Sequence, residues 1–190
     1  MRDSKRPKWN LAMTGTTTAL VVLAMLGTKL VSIPIPATTG YFNVGDIFVI
    51  LAGLWLGPVA GCVVGVIGPT AADAMGYPQY MLATAVTKGL EGLLVGLIGG
   101  GRHASLGRKG FAAAVGAIVM VAGYFVFQAF IYPALGQFIP LFNFTTLSAA
   151  LVEAPLNAVQ GAIGASVGFG LWKAVAGFNP QGRNDKPNGS

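Results

Sequence analysis

Residues 44–75 read VGDIFVILAGLWLGPVAGCVVGVIGPTAADAM, an apolar stretch whose only charged side chains are Asp46 and Asp73. A helix needs about 20 apolar residues to cross the hydrocarbon core of a bilayer, so this stretch is too long for one ordinary crossing. Leu56-Gly57-Pro58 divides it near the middle, and proline is favoured in the first turn of a helix. The stretch therefore predicts two short helices, one ending near Leu56 and the next beginning at Pro58.

Apolar segments on both sides of this stretch extend the pattern. They are separated by turn residues such as Ile33-Pro34-Ile35-Pro36 and Gly76-Tyr77-Pro78, which cannot continue a helix. Hydrophobic residues make up 54% of the chain and charged residues only 9%, whereas a soluble domain has about 25% charged residues. We therefore predict an all-α polytopic membrane protein with six transmembrane helices in a single domain, residues 11–177. The other predicted spans are residues 11–32, 79–99, 111–132 and 146–177.

The basic residues are grouped at the N-terminus, in one internal segment and near the C-terminus. Cytoplasmic segments of membrane proteins carry an excess of Lys and Arg. This grouping argues against nucleic acid as a partner and predicts a protein of the inner (cytoplasmic) membrane, surrounded by lipid, with both termini cytoplasmic. Residues 1–10 form the predicted basic N-terminus, and residues 178–190 form a predicted disordered tail. Ten of the twelve basic residues form these groups: Arg2, Lys5, Arg6, Lys8, Arg102, Arg108, Lys109, Lys173, Arg183 and Lys186.

Three of the predicted helices each carry one polar stripe in an otherwise apolar surface. Spacings of three, four, seven or eight residues place the members of a stripe on one helical face. Such stripes turn towards one another, where they form either a ligand pocket open to the outside or hydrogen bonds that only hold the helices together. The stripes are Tyr80, Thr84, Lys88 and Glu91; Tyr124, Gln128 and Tyr132; and Glu153, Asn157 and Gln160.

Four acidic residues lie within or at the edges of the apolar spans. An ionisable side chain at membrane depth costs about 2.5–3.5 kcal/mol on insertion scales, so it usually faces a cavity or a partner. Lys88 and Glu91 are three residues apart and are predicted to form an ion pair. The four acids are Asp46, Asp73, Glu91 and Glu153.

Glycine recurs at every fourth position in two segments. Small residues at this spacing let two helices approach closely, so we predict that they pack helices against each other within the domain. The glycines are Gly57, Gly61 and Gly65 in one segment and Gly92, Gly96 and Gly100 in the other.

The chain lacks the residues that several common catalytic and metal-binding sites require. The sequence contains no Gly-x-x-x-x-Gly-Lys-Ser/Thr phosphate loop. Its single histidine, His103, and single cysteine, Cys62, offer neither a metal-ligand cluster nor a Ser-His hydrolase site. We therefore predict that the protein is not an enzyme and holds no metal or cofactor. Import against a gradient would then need a powered partner or a coupled ion.

Five short segments together carry a resemblance to a known family. They are Ile33-Pro34-Ile35-Pro36, Gly40-Tyr41-Phe42-Asn43-Val44-Gly45-Asp46, Leu56-Gly57-Pro58-Val59-Ala60-Gly61, Thr87-Lys88-Gly89-Leu90-Glu91-Gly92-Leu93-Leu94-Val95-Gly96 and Glu153-Ala154-Pro155-Leu156-Asn157-Ala158-Val159-Gln160-Gly161. Together they resemble the substrate-binding S components of energy-coupling factor (ECF) transporters, in the riboflavin-transporter-like group. That group includes proteins assigned to pyridoxine or to the hydroxymethylpyrimidine precursor of thiamin. The likeness covers about residues 11–175.

The resemblance implies six helices, no ATPase of its own, and partnership with a transmembrane coupling subunit and two cytoplasmic ATPases. It also implies that the loop at residues 33–43 closes over the substrate and that the outer parts of helices four to six build the pocket. The expected contacts with the coupling subunit are Ala12, Gly15, Thr16 and Ala19 of the first helix. The expected substrate-binding residues are Asn43, Asp46, Tyr80, Thr84, Lys88, Tyr124, Gln128, Glu153 and Asn157.

The predicted function is therefore capture of a small water-soluble vitamin or precursor from outside, by an S component of an ATPase-driven importer. Pyridoxine or a related pyridine or pyrimidine is the first choice of substrate and riboflavin the second. Two other classes of function remain as alternatives. In a stand-alone ion-coupled carrier, Asp73, Glu91 and Glu153 would form a proton or cation path. In a non-transporting assembly protein, the polar stripes would only hold helices together.

Overall fold

The structure is a computed structural model of the chain, and it describes residues 9–35, 38–100 and 104–178. About four fifths of these residues are helical and only four form strands, which confirms the all-α class. The described residues exclude residues 1–8 of the predicted basic N-terminus (residues 1–10), Arg102 and His103 of the basic segment, and residues 179–190 of the predicted tail (residues 178–190). The cytoplasmic location of both termini therefore stays a prediction.

The described residues form six long helical stretches, of which the fifth continues through a π-helical turn, Phe127–Ile131, into the short helix α6. Single 3-10 turns, Pro78–Tyr80 and Pro140–Phe142, precede the fourth and the last helix. In chain order the helices are α1, Leu11–Leu30; α2, Asp46–Leu56; α3, Pro58–Ala74; α4, Met81–Gly99; α5, Leu106–Val126; α6, Tyr132–Gly136; and α7, Leu147–Val175.

The division of residues 44–75 into two helices is confirmed. α2 ends at Leu56 and α3 begins at Pro58, and Gly57 between them has a φ of 98°. Only glycine adopts this left-handed backbone readily, because it has no Cβ. The short loop therefore depends on both residues: Gly57 reverses the chain and Pro58 starts the next helix.

The start of the fifth helix differs from the prediction, which had a loop at residues 100–110 and a helix from residue 111. α5 begins at Leu106, because the Ser105 side chain caps it by accepting a hydrogen bond from the Arg108 N–H at 3.3 Å. Arg108 Nε donates to the Ile98 carbonyl at 2.6 Å and Lys109 Nζ to the Leu54 carbonyl at 3.1 Å. These two basic side chains bind the carboxyl-terminal ends of α4 and α2, where the helix dipole is negative.

Three helical stretches of the described residues are long and apolar enough to cross a membrane: Leu11–Leu30, Pro78–Gly99 and Leu106–Gly136. α2 and α3 are apolar but shorter. α7 is one continuous long helix, but it carries polar side chains at positions 153, 157 and 160, which make it less apolar. Large apolar side chains such as Ile67 and Ile118 are exposed on the outer faces, as expected of a surface that contacts lipid. The six crossings themselves stay a prediction.

The core is centred on α2, which packs against α1, α3, α4 and α7. α3 and α4 approach so closely that a Cβ on Gly92 would overlap the backbone of Gly61, and a Cβ on Gly65 would overlap the backbone of Lys88. The predicted packing role of the glycine repeats is confirmed at these positions. Because α2 packs against four helices, the position of its first residue, Asp46, is fixed within the bundle.

Between α1 and α2 the chain forms a small antiparallel hairpin over the end of the bundle. Its strands are β1, Ile33–Pro34, and β2, Tyr41–Phe42, with Ile33 opposite Phe42. The Ile35 N–H donates to the Gly40 carbonyl at 2.9 Å and extends the pairing. Within the segment predicted as a closing loop, residues 33–43, the structure thus has two paired strands, and residues 36–37 lie outside the described residues.

Candidate functional site

A cleft of about 300 Å³, open solvent included, lies between the hairpin and helices α4, α5 and α7. Seven of the nine residues predicted to bind substrate line it: Asn43, Tyr80, Thr84, Tyr124, Gln128, Glu153 and Asn157. The other lining residues are Gly40, Tyr41 and Gln160. The predicted set omitted these three, although Gln160 belongs to the polar stripe of α7 and Gly40 and Tyr41 belong to the predicted closing loop.

The two remaining predicted residues, Asp46 and Lys88, lie beneath the cleft and do not line it. Lys88 Nζ forms an ion pair with the Asp46 carboxylate, and both side chains are fully buried. Gln160 connects this pair to the cleft, because its Nε2 donates to Asp46 Oδ2 at 2.7 Å while its Oε1 accepts from the Asn43 N–H at 2.8 Å. The pair therefore fixes α2, α4 and α7 relative to one another below the site.

The predicted ion pair between Lys88 and Glu91 is present, with Lys88 Nζ 3.7 Å from Glu91 Oε2. Lys88 also binds Asp46, a contact across 42 positions in the chain that helical spacing could not indicate. Neither carboxylate oxygen of Glu91 has a hydrogen-bond partner among the described residues. Two buried carboxylates thus share one ammonium group.

Hydroxyl groups in the wall of the cleft are hydrogen-bonded in pairs. Thr84 Oγ1 lies 2.9 Å from the Tyr124 hydroxyl, which joins α4 to α5. The Tyr80 hydroxyl lies 3.1 Å from Thr39 Oγ1, which joins α4's preceding turn to the hairpin. The tyrosine rings give the wall flat apolar surfaces, a composition suited to an aromatic ligand.

Gln128 and Glu153 meet across the cleft from two different helical stretches. Gln128 Nε2 donates to Glu153 Oε2 at 2.5 Å. The amide oxygen of Gln128, Oε1, and the other carboxylate oxygen of Glu153, Oε1, are buried and have no partner among the described residues. Gln128 lies in the π-helical turn, a feature that often occurs at functional sites.

The same turn explains why Tyr132 leaves the face that its spacing predicts. A π-helical turn contains one extra residue, so the positions after it are rotated relative to those before it. Tyr132 does not line the cleft; its hydroxyl accepts from the Ala83 N–H at 3.0 Å. Its ring packs in an aromatic cluster with Tyr80, Phe142 and Phe144. The prediction that Tyr132 belongs to the pocket is therefore not supported by the geometry.

The hairpin is attached to the helices through Tyr41. Its hydroxyl donates to the Asp73 carboxylate near the end of α3, and its ring stacks on Tyr77 with the ring centroids 4.1 Å apart. Burial, and secondarily the negative charge of Asp73, raise the pKa of the Tyr41 hydroxyl. The group therefore stays protonated and able to donate this hydrogen bond at any physiological pH.

Residues 9–177 match the family described as "ECF-type riboflavin transporter, S component". The chain belongs to this family. Membership supports a substrate-binding role in a vitamin transporter and a multi-pass location in a membrane. A protein of Pyrococcus woesei named "Uncharacterized protein in gap 3'region" is 40% identical over 116 residues, which cover 61% of this chain and 78% of that protein.

The face of α1 that the family resemblance assigns to the coupling subunit is accessible in this S component. Ala12, Gly15 and Ala19 are exposed, and Thr16 is half-buried with its hydroxyl donating to the Ala12 carbonyl at 2.9 Å. A Cβ on Gly15 would meet no atom within 4 Å. A different face of α1 packs into the domain through its buried apolar residues, Met13, Leu20 and Ala24.

Proposed function

We propose that this S component captures a small water-soluble vitamin or vitamin precursor from outside the cell. The cleft carries this proposal: it is closed on one side by a hairpin, walled by tyrosine rings and lined by amide, hydroxyl and carboxylate groups. Such a combination of flat apolar surface and a few directed polar groups suits a heteroaromatic solute. The expected binding residues are those of the cleft, supported from below by Asp46 and Lys88.

Pyridoxine or a related pyridine or pyrimidine is the preferred substrate, and riboflavin is the second choice. The cleft is lined by many amide, hydroxyl and carboxylate groups but by only three aromatic rings, those of Tyr41, Tyr80 and Tyr124. A single ring with short polar substituents suits this lining better than the three fused rings of riboflavin, which would need a larger aromatic wall. The family description favours riboflavin, so both belong in the test.

Delivery across the membrane is proposed to need a transmembrane coupling subunit and two cytoplasmic ATPases, as the family implies. The exposed small-residue strip of α1, Ala12, Gly15, Thr16 and Ala19, would form the contact, because small side chains let another helix approach closely. The protein would cross the cytoplasmic (inner) membrane six times, with both termini inside and the hairpin outside.

The first experiment is a thermal-shift screen of the detergent-purified chain against riboflavin, pyridoxine, hydroxymethylpyrimidine and the other B vitamins, followed by calorimetric titration of any compound that binds. A ligand that binds only the folded state raises the unfolding temperature by mass action. A saturable shift with one compound would support the proposal, whereas no shift with any of them would contradict it.

Two substitutions distinguish a binding pocket from hydrogen bonds that only hold helices together. Thr84→Val and Gln128→Leu remove polar groups of the cleft, so each should weaken ligand binding while the unliganded protein unfolds within a few degrees of wild type. Thr18→Val is the matched control, because Thr18 is exposed on α1. Equal loss of stability and unchanged ligand affinity in the cleft variants would favour an assembly role.

One observation favours the alternative of an ion-coupled carrier. Asp73, Glu91 and Glu153 are all buried, and each has at least one carboxylate oxygen without a partner among the described residues. Reconstitution of the chain alone in lipid vesicles separates the two functions. Substrate uptake driven by a proton or sodium gradient, with no ATPase present, would support the carrier, and substrate binding without uptake would support the S-component role.

A further inference from the structure

The cleft has two hydrogen-bond acceptors that no described residue satisfies. Glu153 Oε1 and Gln128 Oε1 are both buried and both unpartnered, while the other ends of these side chains bind each other at 2.5 Å. Both residues line the cleft. A buried acceptor without a donor costs about 1–3 kcal/mol, so this edge of the cleft is suited to a ligand that brings donors.

Most of the hydroxyl groups around the cleft already have partners. Tyr41 donates to Asp73, Tyr80 is paired with Thr39, and Thr84 is paired with Tyr124. Asn157 adds one amide, which offers both a donor and an acceptor. The groups of the cleft that remain free to bind a ligand are therefore mainly hydrogen-bond acceptors, and they belong to Gln128 and Glu153.

The charge of the Glu153 carboxylate also favours a ligand that brings hydrogen-bond donors. Glu153 is only 3% exposed, and the ion pairs formed by the described residues use Lys88, which is shared between Asp46 and Glu91. An ionised carboxylate buried without a counter-charge is strongly unfavourable. A ligand with a positively charged nitrogen would supply that counter-charge together with a charge-assisted hydrogen bond.

We infer that Glu153 and Gln128 are the specificity-determining residues of the site, and that they select a nitrogen heterocycle which donates an N–H group to Glu153 Oε1 and a second donor to Gln128 Oε1. A protonated pyridine or an aminopyrimidine with a neighbouring hydroxyl group has this chemistry. The inference rests on the proposed capture of a vitamin-type ring and names the chemical class of that ring.

The test compares ligands that differ only in the donor. 4-Amino-5-hydroxymethyl-2-methylpyrimidine is paired with its analogue lacking the amino group, and pyridoxine is paired with its benzene analogue lacking the ring nitrogen. Titration calorimetry measures the Kd of each compound for the purified full chain. Wild type should prefer the N–H-bearing member of one pair by about 10- to 100-fold, as expected for a hydrogen bond to a charged group.

Glu153→Gln should reduce that preference to a few-fold, while the Kd for the member without the donor changes little. Asp185→Asn neutralises a carboxylate outside the described residues and should keep the preference. The ligand pairs test the inference on wild type even if Glu153→Gln fails to fold. Equal affinity within both pairs, or tight binding of riboflavin alone, would overturn the inference and leave vitamin capture standing. Binding of none of these compounds and of no other B vitamin in the thermal-shift screen would overturn the proposed function as well.

Discussion

The backbone of Gly40, in the hairpin, lies directly against the carboxylate of Glu153, in α7, so that a Cβ at position 40 would overlap the carboxylate carbon and both of its oxygens. The two residues are far apart in the chain, and both line the cleft. The hairpin therefore covers the one acidic side chain of the cleft at the distance that only glycine permits.

Gly40→Ala should lower ligand affinity about tenfold or more, an effect of about 1.4 kcal/mol. The added methyl group either displaces the Glu153 carboxylate or lifts the hairpin, and both changes disturb the cleft. Calorimetric titration measures the effect. Gly170→Ala, where a Cβ would meet no atom within 4 Å, is the control and should bind as wild type. Unchanged affinity of Gly40→Ala would show that the hairpin can move without affecting the site.

Lys88→Met should destabilise the protein by about 3–5 kcal/mol, because it leaves the buried Asp46 carboxylate without its partner. Thermal unfolding in detergent, without ligand, measures the change. Lys173→Met removes an exposed lysine and should have little effect. The double variant Asp46→Asn/Lys88→Met should recover part of the lost stability, since it removes the unpaired charge. A double variant less stable than Lys88→Met would contradict the role assigned to the pair.

Gly92→Ala should be destabilising, because the new Cβ would overlap the Gly61 backbone and force α3 and α4 apart. Overpacking of this kind costs about 1–3 kcal/mol. Gly110→Ala in α5, where a Cβ meets nothing within 4 Å, should be neutral or slightly stabilising, since alanine favours helix. Equal unfolding temperatures for the two variants would mean that the helix contact is not tight.

Tyr41→Phe should speed ligand release by about 10- to 100-fold, the loss expected for a hydrogen bond to a charged acceptor. The substitution keeps the ring that stacks on Tyr77 but removes the donor to Asp73. Stopped-flow displacement of bound ligand measures the release rate. Tyr77→Phe is the matched control, because among the described residues the Tyr77 hydroxyl has no hydrogen bond. Release rates that are equal in both variants would indicate that the Tyr41 contact does not restrain the hairpin.

Gly15→Leu should abolish co-purification with the coupling subunit and leave ligand affinity unchanged. The leucine would project from the exposed face of α1 into the proposed contact and prevent close helix approach. Gly170→Leu, also in open space but on α7, should assemble normally. Retained assembly of Gly15→Leu would move the coupling contact to another face.

Much of the fold follows from local sequence features. The break at Gly57-Pro58 depends on two residues with strong backbone preferences, and the glycine repeats of α3 and α4 predict a close contact between helices. The three polar stripes follow from helical spacing, which is why most of the cleft residues were predicted. The start of α5 was not predicted, because Ser105, which caps the helix, and the basic residues after it are residue types that also occur in loops.

The sequence by itself determined the helical class, the break between α2 and α3, and the type of side chain available to a ligand, because backbone preference and periodicity act over a few residues. Only the tertiary structure decided which groups remain free to bind. Lys88 is shared with Asp46 from another helix, the π-helical turn rotates Tyr132 out of the cleft, and Gly40 lies on Glu153. The contacts of Lys88 and Gly40 join distant parts of the chain, so they depend on how the helices pack and leave no periodic trace in the sequence. The π-helical turn interrupts the helical period from which the position of Tyr132 was predicted.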